Sequence, residues 1–258
     1  MKRALVTGAA ARIGREMALY LGQQGYDVAV HYATSRQAAE DVVENLCGMG
    51  RHAVALQADL LDEAAVQNLM PAAMQALGGP ITCLINNASI FEYDNITSAT
   101  RTSWDRHMES NLRAPFVLTQ ALATQVPEPL YDDQNEPMAQ ALVINMIDQR
   151  VRKLTPEFMT YTIAKMGLWA LTQTSARSLA PKVRVNAIGP GPTLQGARQS
   201  AEHFATQRRN TILQRGAGTN DINNALGYFL NATAVTGQLL CVDGGQHLGW
   251  KTPDVQND

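Results

Sequence analysis

Short apolar runs alternate with longer amphipathic stretches from the start of the chain. Ala4-Leu5-Val6, Val28-Ala29-Val30-His31, Ala53-Val54-Ala55-Leu56 and Ile81-Thr82-Cys83-Leu84-Ile85 are each too short for helices, and their spacing predicts strands. Between them, Ile13 to Gln24, Arg36 to Met49 and Glu63 to Leu77 carry apolar residues at helical intervals. The rhythm continues with a helix over Thr102 to Gln125, a strand at Ala141 to Asn145, a helix from Tyr161 to Leu179, and strands at Val183 to Ile188 and Gln238 to Val242. Strictly alternating strands and helices predict a doubly wound α/β domain, with a parallel sheet of about seven strands, helices on both faces and right-handed crossovers. Two stretches break the pattern. Pro127 to Pro137 is polar and acidic with three prolines, which predicts a surface loop. Pro190 to Thr211, extending to about residue 215, opens with Pro190-Gly191-Pro192 and then turns polar, as a mobile flap over a ligand does. With no internal repeat or linker, residues 1–258 are expected to form one domain.

Composition narrows the function classes. The chain has 258 residues, 45% of them hydrophobic and 17% charged, enough to bury a core without disulfides or metals. A formal net charge of -2 gives no basic footprint for nucleic acid or an anionic membrane. Cys47, Cys83 and Cys241 are scattered and form no CxxC pair, so reduced thiols in the cytoplasm are expected, and no metal site. The apolar start at Ala4-Leu5-Val6 is broken by Gly8, too soon for a signal segment, and no apolar run reaches the roughly 18 residues of a membrane span.

The chemistry begins at the first strand-to-helix turn, Thr7-Gly8-Ala9-Ala10-Ala11-Arg12-Ile13-Gly14. Glycines there let backbone approach a pyrophosphate, and the helix N-terminus offers N–H donors and partial positive charge. Gly8, Arg12, Ile13 and Gly14 are therefore candidate cofactor ligands, although a plain tight turn would look similar. Such a turn gives the domain its Rossmann-type character. Enzymes that take NAD carry Asp or Glu at the end of the second strand to hold the ribose 2′-hydroxyl. Here that end reads His31-Tyr32-Ala33-Thr34-Ser35-Arg36, and Asp27 precedes the strand at the opposite edge. Arg12, His31, Ser35 and Arg36, with Tyr32 beside them, can supply donors to a 2′-phosphate, which points to NADPH/NADP+ as cofactor. A solvated loop that merely lacks an acid is the alternative.

Tyr161 and Lys165 lie four residues apart, so they share a helix face and an ammonium can sit beside a phenol. A neighbouring cation favours phenolate and is expected to lower the tyrosine pKa toward working pH, making Tyr161 a proton donor to a substrate that accepts hydride. An exposed surface pair would have the same spacing. Pro115 has no N–H to offer the carbonyl of Asn111, which leaves that carbonyl available to a water; an ordinary proline kink is the alternative.

These motifs, taken in order with Asp59-Leu60, Asn86-Asn87-Ala88, Asn186 to Gly191 and Asp243-Gly244-Gly245, resemble the short-chain dehydrogenase/reductase family nearly end to end. The resemblance implies that Asp59 and Leu60 flank the adenine, that Asn87 and Ala88 line the nucleotide, and that Pro190, Gly191 and Thr193 hold the nicotinamide end. It also implies that Asn111 joins a water chain reaching Lys165. A homotetramer packed through the helices flanking the fifth strand is implied too, and the tail Gln246 to Trp250 is apolar enough to reach a neighbouring subunit.

Most members of that family carry serine thirteen residues before the tyrosine, where it donates to a substrate carbonyl. This chain has Asp148 there. An ionised carboxylate accepts hydrogen bonds and cannot donate one. It suits a substrate presenting N–H groups, such as a reduced pterin with a C=N bond as hydride acceptor. An acidic replacement without substrate meaning is the alternative. Arg12, Ser89 and Phe91 extend the likeness to the pteridine reductases and bacterial dihydromonapterin reductases, in which the corresponding residues reach cofactor phosphate or pterin and stack on the ring. The reading is a small-molecule reductase in which Phe91 and the nicotinamide sandwich a pterin, Asp148 orients it, and Tyr161 relays a proton over Lys165. Dihydrobiopterin, dihydromonapterin and dihydrofolate stay open, because residues 193–211 would choose among them. A carbonyl or 3-oxoacyl-thioester reductase is the competing reading, and a non-catalytic NADP-sensing protein a third.

Overall fold

The computed structural model describes residues 2–196 and 199–250. Seven strands form one parallel sheet: β1 (Arg3–Val6), β2 (Asp27–Tyr32), β3 (Ala53–Gln57), β4 (Cys83–Asn86), β7 (Ala141–Met146), β8 (Val183–Pro190) and β9 (Leu239–Val242). A two-stranded antiparallel hairpin, β5 (Leu130–Tyr131) with β6 (Pro137–Met138), lies between β4 and β7 in sequence. The sheet order is β3-β2-β1-β4-β7-β8-β9. Strands before β4 wind one way from β1 and those after it wind the other. A crevice therefore opens at the carboxyl ends of β1 and β4, where doubly wound sheets bind ligands.

Alternation along each strand feeds two cores. Val6, Val30, Ile85 and Ile144 face one layer, made by Met17 and Leu21 of α1 (Arg12–Gln23), Val42 and Leu46 of α2 (Arg36–Gly48), and Leu226 and Phe229 of α8 (Thr219–Asn231). Leu5, Ala29, Leu84 and Val143 face the other. That layer is built by Leu69 and Met70 of α3 (Glu63–Leu77), Leu118 and Leu122 of α5 (Ala114–Gln125), and Ala176 of α6 (Met159–Ser178). Every residue of β7 is buried, as expected for a central parallel strand covered on both faces.

Three departures from the sequence reading have physical reasons. The helix expected over Thr102 to Gln125 is divided into α4 (Arg101–Met108), a π-helical turn (Glu109–Arg113) and α5. Pro115 cannot donate to residue 111, and the ladder widens there instead, with the Ala114 N–H reaching Glu109. The acidic stretch from Pro127 to Pro137 remains at the surface but folds back on itself through the β5–β6 hairpin. The polar region after Pro190 contains a further helix, α7 (Ala201–Arg209), rather than irregular chain throughout. The Ser200 side chain caps it through the His203 N–H at 3.1 Å, and Arg208 and Arg209 complement the dipole at its end. Residues 197–198 of the expected flap, and the chain beyond Trp250, lie outside the described residues.

Candidate active site

The cofactor end is built on the turn after β1. Gly8 takes a left-handed conformation (φ 61°), and its N–H donates to His31 Nδ1 at 3.0 Å. Thr7 Oγ1 accepts the N–H groups of Asn87 (2.9 Å) and Ala88 (3.0 Å), while Asn87 Nδ2 returns bonds to the carbonyls of Thr7 and Gly8. The first and fourth strands are thereby laced together at the crevice. A Cβ at Gly14 would stand 2.2 Å from the Gly8 carbonyl oxygen, so only glycine lets α1 pack this close to its own turn.

A groove of about 660 Å³ runs along this edge. Gly8, Arg12, Ile13, Gly14, His31, Asp59, Leu60, Asn87 and Ala88 line it, which brings most of the expected nucleotide residues together. Its far end is closed by Ala33, Thr34 and Gln57, with no carboxylate at the end of β2. The structure corrects the role expected of His31. Its Nε2 lies 3.1 Å from the Ala58 carbonyl and its Nδ1 accepts from Gly8, so both nitrogens are spent inside the protein. Burial lowers its pKa, against the raising influence of Ala58 and Asp59, and the ring is a neutral brace for the turn rather than a phosphate donor. Tyr32 is likewise buried, its hydroxyl accepting from Arg36 Nε at 3.2 Å. Ser35 is exposed at the start of α2, outside the groove lining.

A second cleft of about 280 Å³ adjoins the groove and shares Arg12, Ile13, Asn87 and Ser89 with it. Phe91, Asp148, Tyr161, Lys165, Pro190, Gly191 and Thr193 line it, so the expected nicotinamide-end and substrate residues converge here with three of the four expected catalytic residues, Asn111 standing outside the lining. Tyr161 donates its hydroxyl to Asp148 Oδ2 at 2.9 Å, and Asp148 Oδ1 accepts the Arg150 N–H at 2.8 Å. Lys165 is buried, with Nζ bonded to the Met146 carbonyl at 2.8 Å and 5.7 Å from the centre of the Tyr161 ring. Burial pulls the Lys165 pKa down to about 8, with Asp148 acting in the opposite direction.

The phenol behaves differently from the sequence expectation. Burial first, and the Asp148 carboxylate second, push the Tyr161 pKa well above its ordinary value. The lowering influences come from Arg150 and Ser89 rather than from the expected Lys165 and are outweighed, so Tyr161 stands as a protonated donor. Burial also raises the Asp148 pKa, countered by the Arg150 N–H, the Tyr161 hydroxyl and the nearby Arg150 and Lys165 charges.

Phe91 keeps 45% of its surface exposed. It stacks on Phe158 (4.3 Å between centroids, 11° between planes) and meets Tyr161 edge-on at 4.7 Å. Sequence reasoning missed Phe158; its one available signal was an aromatic three residues before the tyrosine. Asn111 sits in the π-helical turn, fully buried. It clamps the Phe91 loop, with Oδ1 accepting the Ile90 N–H (2.9 Å) and Nδ2 donating to the Ile90 carbonyl (2.8 Å). Arg12, in a left-handed conformation (φ 56°), extends its guanidinium across the cleft to the carbonyls of Leu194 (3.2 Å) and Gln195 (2.9 Å).

Residues 8–247 match the family model described as enoyl-(acyl carrier protein) reductase. The chain belongs to the short-chain dehydrogenase/reductase family. Among its relatives, the 3-oxoacyl-[acyl-carrier-protein] reductase FabG of Staphylococcus epidermidis is 30% identical over 252 residues, covering 96% of this chain and 99% of that one. FolM alternative dihydrofolate reductase 1 from Brucella suis, crystallised with NADP, superposes with a TM-score of 0.91 at 39% identity, over 99% of this chain and 98% of that one. The angucycline C-6 ketoreductase LanV, also with NADP bound, gives a TM-score of 0.86 at 29% identity, over 96% of each chain. The oxidoreductase relatives thus include both a dihydrofolate reductase and ketoreductases. No helix among the described residues of this family member is long and apolar enough to cross a membrane.

Proposed function

We propose that this short-chain reductase uses NADPH to reduce a C=N bond in the ring of a pterin. The observation that carries the reading is the Asp148 carboxylate, bonded to the Tyr161 hydroxyl in the cleft that the half-exposed Phe91 ring also lines. A donor for a carbonyl oxygen is absent at that position, and an acceptor for ring N–H groups is present.

The residues fit the cofactor. The groove offers the N-terminus of α1 to a pyrophosphate; the end of β2 carries no acid to repel a 2′-phosphate, and α2 has no acidic residue in its first turn. Gly8, Arg12, Ile13 and Gly14 would hold the phosphates, Asp59, Leu60, Asn87 and Ala88 the adenosine, and Lys165, Pro190, Gly191 and Thr193 the nicotinamide end. NADPH held there would supply the hydride for the substrate carbon. Asp148 exchanges the Tyr161 hydroxyl for the N–H edge of the pterin, Phe91 stacks on its face, and Ser89 and Arg12 border the same cleft. Tyr161 then gives its proton to the ring nitrogen as the adjacent carbon gains hydride, so C=N becomes CH–NH. Lys165, beneath it, keeps a positive charge near the phenolate that results.

The FabG-like sequence relatives favour a second reading, reduction of a 3-oxoacyl thioester or another carbonyl. Turnover of dihydropterin measured against acetoacetyl thioester separates the two; exclusive use of the thioester would reject the pterin. A cofactor held without turnover of any substrate would indicate the NADP-sensing protein. NADPH is expected to be preferred over NADH by at least about tenfold in kcat/KM, since a charge-assisted phosphate contact contributes about 1.5–3 kcal/mol. Equal specificity constants would contradict it. Exposed Phe116 on α5 and Ile163 and Met166 on α6 support the homotetramer.

The pH profile follows from the buried pair. Lys165 carries its charge below about 8 and loses it as pH rises, so kcat/KM is expected to decline above about pH 8. Asp148 must be ionised to accept N–H groups, and its raised pKa moves the acidic limb upward from that of an ordinary aspartate. A steady-state profile that stays flat on the alkaline side would remove Lys165 from the reaction.

A further inference from the structure

Beside the cleft lies a buried polar chain that the proposed chemistry does not use. Asp94, His107 and Thr160 are each no more than 2% exposed. His107, on α4, accepts the Glu92 N–H at Nε2 (3.1 Å), so its ring proton is on Nδ1 and donates to Thr160 Oγ1 at 2.7 Å. Thr160 has its own hydroxyl proton to give, and it goes to Asp94 Oδ2. Asp94 Oδ1 accepts the Thr160 N–H at 3.1 Å, and the Asp94 carbonyl accepts the Phe158 N–H at 2.7 Å. The direction of these bonds follows from the donors available, and Ser103 of α4 adds to them, through its backbone at His107 and its side chain at Asp94.

The chain joins three pieces of the site that are remote in sequence. Glu92 and Asp94 belong to the loop that carries Phe91. His107 lies about one turn before Asn111, two residues ahead of the π-helical segment. Thr160 immediately precedes Tyr161, and Phe158 starts α6 in a left-handed conformation (φ 55°) that a non-glycine residue adopts only when its surroundings hold it there. Phe158 in turn backs Phe91 by stacking.

We propose that Asp94, Thr160 and His107 form a positioning clasp that sets the Phe91–Phe158 wall against the Tyr161 hydroxyl and so fixes the slot for a flat ring. The inference rests on the pterin reading. None of the three touches the substrate; they act through Phe91, Phe158 and Tyr161.

Thr160→Val keeps the shape of the side chain and removes the hydroxyl, and Thr160→Ser keeps the hydroxyl. With dihydrobiopterin as the probe, Thr160→Val is expected to raise KM about tenfold or more, as befits a deleted buried hydrogen bond, while the NADPH Kd stays within about twofold. Thr160→Ser is expected to restore KM, and Asp94→Asn to resemble Thr160→Val. An unchanged KM in Thr160→Val, with wild-type enzyme turning over dihydrobiopterin, would overturn the clasp alone. Equal loss of kcat and of thermal stability at constant KM would mark a folding role and overturn it too. A wild-type enzyme inert toward dihydrobiopterin would sink the pterin reading and the clasp together.

Discussion

Tyr161→Phe is expected to lower kcat for NADPH-dependent reduction by roughly 10²-fold or more, the usual contribution of a positioned general acid, while NADPH still binds. The substitution removes one oxygen and leaves the ring, so its edge contact with Phe91 at 4.7 Å and its place on α6 are retained. What disappears is the only phenolic proton among the described residues that line the cleft. The structure sharpens this expectation, because burial and Asp148 keep the phenol protonated and make it a donor over the working pH range. The Asp148 carboxyl also loses the hydroxyl that helps hold its pKa down, so the acidic limb of the residual activity is expected to move further upward. NADPH titration by fluorescence, with single-turnover rates, checks both halves. Near wild-type single-turnover chemistry would remove Tyr161 from the proton transfer.

The sheet was legible because its strands are short apolar runs punctuated by turns, and the alternation of Val6 with Leu5, or Ile144 with Val143, carries through to two separate cores. The catalytic cleft was legible for a different reason. Tyr161, Lys165 and Asp148 stand at fixed intervals on one helix and the strand end before it, so local spacing already brings them near one another. His31 shows where that logic stops. In a strand covered on both faces, Val30, His31 and Tyr32 are all buried, and alternation does not say which polar side chain turns toward a ligand. Helix α7 has no buried residue and therefore no apolar stripe to detect. Helix α8 does carry one, with Ile222, Leu226 and Phe229 on a single face, but the polar residues Asn220, Asp221, Asn223 and Asn224 around its start obscure it in the sequence. The stacking of Phe91 on Phe158, and the links from Asp94 and His107 to Thr160, span more than fifty residues. They are products of tertiary packing and leave no periodic trace.

Asp148→Ser is expected to lower kcat/KM for dihydropterin more than any substitution in the stacking wall, and to spare or raise activity toward a small ketone. The carboxylate offers two oxygens to a donor-rich edge, and charge-assisted bonds of this kind contribute about 1.5–3 kcal/mol each. Serine offers one hydroxyl that can accept or donate, so it satisfies a carbonyl oxygen better and a row of N–H groups worse. It also removes the partner that now takes the Tyr161 proton at 2.9 Å and the charge that raises the phenol pKa, so the tyrosine is expected to titrate closer to its ordinary value. Phe91→Ala supplies the comparison. It removes aromatic pairing of about 0.5–1.5 kcal/mol plus some burial, and leaves the polar recognition intact. Weakened pterin binding with an unchanged acidic limb is therefore expected for Phe91→Ala, and a displaced limb with inverted preference between the substrates for Asp148→Ser. Steady-state kinetics of the wild type and both variants on a dihydropterin and a simple ketone decide between these patterns. Equal loss on both substrates in Asp148→Ser would make the carboxylate a structural acceptor for the Arg150 N–H, and the pterin reading would lose its support.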